Sequence, residues 1–180
     1  MVGCSSPPLS GPNLAHGTKA VVRSKPRPEG HSFGIYLVTG PSERSSDSGR
    51  EDLSILRLAD SPIISDAAII AYHWSAHSIT VTTNALRNLP EPSVFGTPFV
   101  VVADGQRIYQ GVFTTPYSSI TMYGGATIRV WPFSRTDNPL QIGFDPWQAV
   151  GGPPVHFVAL AEPRNDPRIE RALAALQKLK

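Results

Sequence analysis

SPIISDAAIIAYHWSAHSITVTTNALRNLPEPSVFGTPFVVVADGQRIYQGVF, residues Ser61 to Phe113, is the stretch that decides the fold. Its most decisive part is Thr97–Ala103, a continuous apolar run of strand length, which places a strand at the centre of a sheet. Asp104-Gly105 follows it as a favoured two-residue hairpin turn, so Arg107–Phe113 is expected to return beside it. Upstream, His77–Thr82 alternates, with Ile79 and Val81 facing inward. Ser65 or Asp66 is a plausible N-cap for a short helical turn over Ala67–Ile70, after which Ala71–Trp74 extends and Ser75-Ala76 turns. Thr83 is expected to cap a second short helix running to Leu89, ended by Pro90 and Pro92.

Outward from that stretch, Ser32–Thr39 reads as a first strand with Phe33, Ile35 and Leu37 on one face and Tyr36 and Val38 on the other. Gly40-Pro41 stops it, Ser42–Glu51 reads as an exposed polar loop, and Leu53–Leu58 as the returning strand. Downstream, Thr114–Gly125 is a loop, Ala126–Phe133 a strand, Pro139–Phe144 a short strand, Pro146–Pro154 irregular, and Val155–Ala161 a last strand. The chain closes on a helix: Asp166 is its N-cap, Pro167 takes the first position, and Ile169, Leu173, Leu176 and Leu179 form an apolar stripe beside Ala172. The expected fold class is α+β. It is a single domain over 31–180, a mostly antiparallel mixed sheet with short helices and a C-terminal helix packed on it.

The 180 residues suit one domain plus a tail, and a charged content of 17% is low. Residues 1–30 hold Lys19, Arg23, Lys25 and Arg27 against Glu29, a net +3, whereas the remaining 12 basic and 13 acidic residues give −1. The basic character therefore belongs to the tail, which argues against nucleic acid as a partner of the folded part. The tail is also rich in Pro, Gly and Ser and lacks apolar periodicity, so residues 5–30 read as a disordered tether. A flexible chain of ~25 residues would span roughly 25–30 Å end to end. No run approaches the ~18 apolar residues of a membrane helix.

The single cysteine, Cys4, excludes an internal disulfide and a cysteine-cluster metal site. Nothing around it could hold a catalytic thiolate. Val2-Gly3-Cys4, followed by Ser5-Ser6-Pro7, resembles the end of a bacterial lipoprotein signal peptide, where a small residue precedes the cysteine that is lipidated. The resemblance implies a lipid on Cys4 and a membrane partner in the bacterial envelope, periplasmic or otherwise extracytoplasmic. It expects a basic and then an apolar run in frame upstream of Met1. The other reading of Cys4 is a free thiol in a flexible tail.

Residues with chemical potential each have a structural explanation in the sequence. His73 and His77 have the separation of a zinc-binding helix, but a turn lies between them and no Glu follows His73. Ser118 or Ser119 with a histidine and Asp66 or Asp104 could form a hydrolase triad, yet no Gly-x-Ser-x-Gly elbow presents either serine. Gly124-Gly125 and Gly151-Gly152 lack the strand-to-helix setting of a phosphate cradle. Tyr109, Phe113, Tyr117 and Tyr123 could line a ligand or peptide groove, or pack between neighbouring strands. No catalytic residue, cofactor or metal is assigned.

The order of elements from Ile64-Ser65-Asp66 with Ala68-Ile69, through Ile79–Thr82 and Leu86–Leu89, to Phe99–Ile108 with its Asp104-Gly105 turn resembles the periplasmic head domain of SecD. That resemblance implies a small α+β head outside a bacterial membrane, without the transmembrane helices that drive export. The expectation is a non-catalytic envelope lipoprotein that binds or supports a partner, for which a protein or peptide is one candidate. The alternatives are a small hydrolase-like enzyme with its site near Ser118, His73 and His77, and a self-associating structural protein.

Overall fold

A computed structural model of the chain describes residues 30–40, 52–91, 93, 95–117, 125–131, 138–145, 147–150, 156–159 and 161–180. In chain order the strands are β1 (Phe33–Leu37), β2 (Ile64–Ser65), β3 (Ile69–His73), β4 (Ser78–Val81), β5 (Thr97–Ala103), β6 (Gln106–Thr114), β7 (Gly125–Arg129), β8 (Leu140–Asp145), β9 (Trp147–Val150) and β10 (His156–Ala159). Two α-helices, α1 (Thr83–Arg87) and α2 (Pro167–Ala175), and a 3₁₀ turn at Asp66–Ala68 complete the set.

Eight strands form one sheet in the order β2-β1-β5-β6-β7-β8-β4-β3, while β9 and β10 form a separate two-stranded ribbon. Every pairing is antiparallel except β6 with β7. The first and last strands of the sheet, β2 and β3, are joined by only the 3₁₀ turn. One continuous segment thus pairs with β1 at its start and with β4 at its end, and the sheet curls into a near-barrel.

β5 sits where the apolar run demands, between β1 and β6, with Phe99, Val100 and Val101 wholly buried. Its partner returns through Asp104 and Gly105, whose φ values of 49° and 74° are those of a tight hairpin turn. Asp104 also fastens the start of β1: its Oδ1 accepts from the Ser32 backbone N–H at 3.0 Å, and His31 Nδ1 lies 3.3 Å from both of its oxygens. Within β6, the register shifts by one residue opposite Val101 and Val102, leaving Ile108 as the extra residue of a bulge. Gly111 is obligatory, because a Cβ there would stand 2.7 Å from the Phe99 ring and 2.8 Å from the Ala126 carbonyl oxygen.

The core is filled by Phe33, Ile35, Ile64, Ile69, Tyr72, Ile79, Val81, Phe99, Phe113, Ile128 and Ile142 from the strands, with Ile169, Ala172 and Leu173 from α2. Burying each large aliphatic or aromatic side chain contributes about 1.5–3 kcal/mol. α2 packs against β1 and β5. It begins as the sequence expects, with the Asp166 carboxylate accepting from the Arg168 N–H at 2.9 Å and Pro167 in the first turn. It stops earlier than the apolar stripe suggests. Gln177 turns into positive φ (58°), and Lys178–Lys180 run beside β3, with Tyr72 N–H donating to Lys178 O at 2.7 Å and Lys180 N–H to Tyr72 O at 2.8 Å. Leu179 therefore belongs to a strand-like strap that covers the β3 edge, which would otherwise offer unpaired backbone to another chain.

Four further expectations are corrected. Leu53–Leu58 is not a strand: the Arg107 guanidinium takes the carbonyls of Leu53, Ser54 and Leu56, and the Asp52 carboxylate accepts from Ser54 N–H at 2.9 Å. These bonds curl the segment, and only Leu58 bridges to Val38. The turn capped by Ser65 is a 3₁₀ turn of three residues, and Ile69-Ile70 already belongs to β3. Thr82 rather than Thr83 caps α1, accepting from Ala85 N–H at 3.3 Å. The span read as irregular, Pro146–Pro154, contains β9. The expected polar loop at Ser42–Glu51, the tether and Cys4 lie outside the described residues, apart from Gly30.

Candidate functional site

The strands open at two ends, and the two gather different chemistry. At the first end lie the β3–β4 turn, the middle of β8 and the approach to α2, which meet at Ile142. Its N–H donates to His77 O at 2.9 Å, and its carbonyl accepts from Arg164 Nη1 at 2.6 Å. Arg164 simultaneously grips Glu162 through Nε at 2.8 Å and Nη2 at 2.6 Å, and its guanidinium lies 5.4 Å from the Phe144 ring centre. This fork explains the direction of both titrations: pairing with Arg164 lowers the Glu162 carboxyl, and pairing with Glu162 raises the Arg164 guanidinium.

Tyr72, Trp74 and His77 line the same end as an aromatic series, with ring centres 5.8 Å and then 6.1 Å apart. Tyr72 is only 1% exposed, and its hydroxyl has no hydrogen-bond partner. Burial pushes it up to about 12, and burial likewise holds Tyr109 well above the usual tyrosine range. His77 adopts positive φ (46°), uncommon for a residue with a Cβ, and its Nδ1 is buried without a partner. Burial first, and then the Arg164 charge, lower its pKa, which favours the neutral ring.

The opposite end is where β5 starts and β6 and β7 finish. Thr97 pairs with Phe113, Thr114 with Arg129, and Val130 N–H donates to Thr114 O at 2.7 Å, so these strand termini lie side by side. Just beyond them stand Phe95, 81% exposed, Tyr117, 65% exposed, and Trp131, 42% exposed. Three of the five exposed large hydrophobic residues among the described residues thus emerge from adjacent strand termini; the others, Ile55 and Ile70, lie elsewhere. Single exposed apolar residues are ordinary, but aromatics gathered at one end mark a contact surface. On the neighbouring β4, Asn138 replaces a strand partner, its side chain accepting from Val81 N–H at 3.0 Å and donating to Val81 O at 2.8 Å.

The residues weighed in the sequence do not converge. His73 is exposed on the β3 edge, His77 is half-buried in the turn beyond it, and Asp66 lies at the start of β3, at the other end of the barrel. Asp104 is occupied by the hairpin turn and the start of β1. Ser118, Ser119 and Tyr123 lie outside the described residues. Of the aromatic set, Tyr109 and Phe113 pack in the core and Tyr117 is exposed, so the four do not line one groove. No group of three histidine, cysteine, aspartate or glutamate residues is placed to hold a metal among the described residues.

Arg164, Glu162, Phe95 and Trp131 were not legible as site residues. The signal that could have found the aromatic end is their neighbours. Phe95-Gly96, Pro116-Tyr117 and Trp131-Pro132 each set an aromatic beside a residue that strands disfavour, close to where the chain enters or leaves the sheet. Comparison with protein families, with curated proteins and with solved structures found no significant match to this chain.

Proposed function

We propose that this chain is a non-catalytic binding or accessory domain of the bacterial cell envelope, held to a membrane through a lipid on Cys4 and akin in layout to the periplasmic head of SecD. The observation that carries the binding role is the cluster of exposed Phe95, Tyr117 and Trp131 at one barrel end. Aromatic side chains supply much contact area with little conformational entropy to lose, which is why they dominate recognition surfaces. The described chain begins at Gly30, beside the β5–β6 turn and therefore opposite the aromatic end.

Two measurements separate the parts of this proposal. Expressed behind its own upstream sequence in a bacterial host, the wild-type chain takes up a labelled fatty acid and fractionates with membranes, and Cys4→Ser does neither; an unlabelled wild-type chain contradicts the anchor. The full chain carrying Cys4→Ser is then mixed with isolated envelope material. It sediments with that material, and adding Phe95→Ser, Tyr117→Ser and Trp131→Ser abolishes the effect; equal sedimentation of both chains contradicts the aromatic binding surface.

A further inference from the structure

We propose that the β3–β4 turn and the Arg164 clamp form an acid-sensitive latch, which holds the approach to α2 on β8 at neutral pH and lets go when His77 takes up a proton. The geometry is a single peptide unit gripped from both directions. Ile142 N–H is held by His77 O, and Ile142 O is held by Arg164 Nη1. His77 is itself fixed in a tight position: its backbone has φ of 46°, its N–H donates to Trp74 O at 3.2 Å, and Gln141 Nε2 donates to the adjoining Ala76 O. The ring rests against Trp74, and Nδ1 is buried with no hydrogen-bond partner among the described residues.

Among the described residues, the charged groups that act on this ring are Arg164 and Glu162 on the approach to α2, with opposite sign. The same pair acts on Tyr72 of β3 and Tyr109 of β6, both of which burial holds un-ionised. β8 contributes the uncharged Gln141 and Ile142. Both Glu162 oxygens already accept from the Arg164 guanidinium. An imidazolium would therefore bring an unsolvated N–H and a second cation to a place built for neither. The sign follows from linkage. A histidine that binds its proton less readily folded than unfolded contributes stability that is complete above the unfolded value of 6.5 and is lost as pH falls through it. Here that loss falls on the latch, because the backbone carbonyl of His77 and the Arg164 clamp hold the same residue, Ile142.

The test follows the full chain by NMR from neutral pH to mild acid, reading the His77 ring and the amide exchange of Ile142, corrected for the intrinsic rate, with Val101 in mid-β5 as reference. The expected result is a His77 midpoint below 6.5. As pH falls, Ile142 opening rises several-fold while Val101 stays protected. His77→Asn, whose side chain tolerates positive φ, leaves Ile142 opening flat across the range. A His77 midpoint at or above 6.5, or the same acid response in wild type and His77→Asn, overturns the proposal. If His77→Asn does not fold, Arg164→Gln in the presence of His77 decides the matter. Loss of the cation raises the His77 midpoint if the latch is as described, and an unmoved midpoint overturns it.

Discussion

The two ends of the barrel are made from the same strands but finished in opposite ways. At the Ile142 end the chain crosses back over the strands: the β3–β4 turn, the approach to α2 and the Lys178–Lys180 strap close it with hydrogen bonds, an ion pair and buried rings. At the other end β5 begins just after Gly96, and β6 and β7 end at Thr114 and Arg129, leaving Phe95, Tyr117 and Trp131 exposed. Polar groups with partners serve the fold at the first end, whereas the exposed aromatic area of the second is what the proposed binding role rests on. The comparison sets stability at the first end against the association proposed for the second, and the substitutions below can break that division.

The largest effect belongs to the wall that both ends share. Phe99→Ala removes a wholly buried ring that stacks on Phe113 at 4.9 Å and covers Gly111, and is expected to lower the unfolding free energy by about 3–5 kcal/mol, read by urea denaturation. Gly111→Ala, which drives a methyl group against that ring and the Ala126 carbonyl, is expected to cost about 1–3 kcal/mol in the same assay. At the closed end, Arg164→Met removes the clamp on Ile142 and leaves Glu162 unpaired, for an expected loss of about 1–3 kcal/mol. Tyr72→Phe deletes a buried hydroxyl that has no partner, so it is expected to be neutral or stabilising by up to ~1 kcal/mol. It also removes part of an alkaline instability. Tyr72 titrates at about 12 folded against 10.0 unperturbed, so wild-type stability falls as pH rises above the latter. At the aromatic end, each single serine substitution is expected to change stability by no more than ~0.5 kcal/mol. A destabilisation there as large as that of Arg164→Met would erase the distinction between the ends.

Much of this architecture could be read from residues whose local chemistry and long-range packing agree. Thr97–Ala103 is apolar throughout because it is central, and Asp104-Gly105 turns because both residues accept positive φ. Asp166-Pro167 starts a helix whichever surface the helix meets. The misreadings occur where a distant side chain decides. Leu53–Leu58 has a strand's composition, and Arg107, about fifty residues away, bends it by taking its carbonyls. Leu176 and Leu179 continue a helical stripe in sequence, but the free edge of β3 captures the backbone first. The closing of the sheet through β2 and β3 was illegible for the same reason, since it needs two pairings that no local pattern encodes.

The candidate sites were less legible than the fold. His73 and His77 look like a helical pair in sequence, but one ends β3 and the other lies in the β3–β4 turn, while Arg164 reads only as a residue before a helix cap. Phe95, Tyr117 and Trp131 are scattered through the sequence and come together only because β5, β6 and β7 are neighbours.

The division between the two ends is tested most directly by photo-crosslinking in living cells, with a photoreactive amino acid placed in the full chain at Trp131 or at Gln106. Both positions are exposed, and they lie at opposite ends of the barrel. The account predicts a discrete crosslinked product from position 131 and none from position 106. A product from 106 alone, or equal products from both, would contradict it.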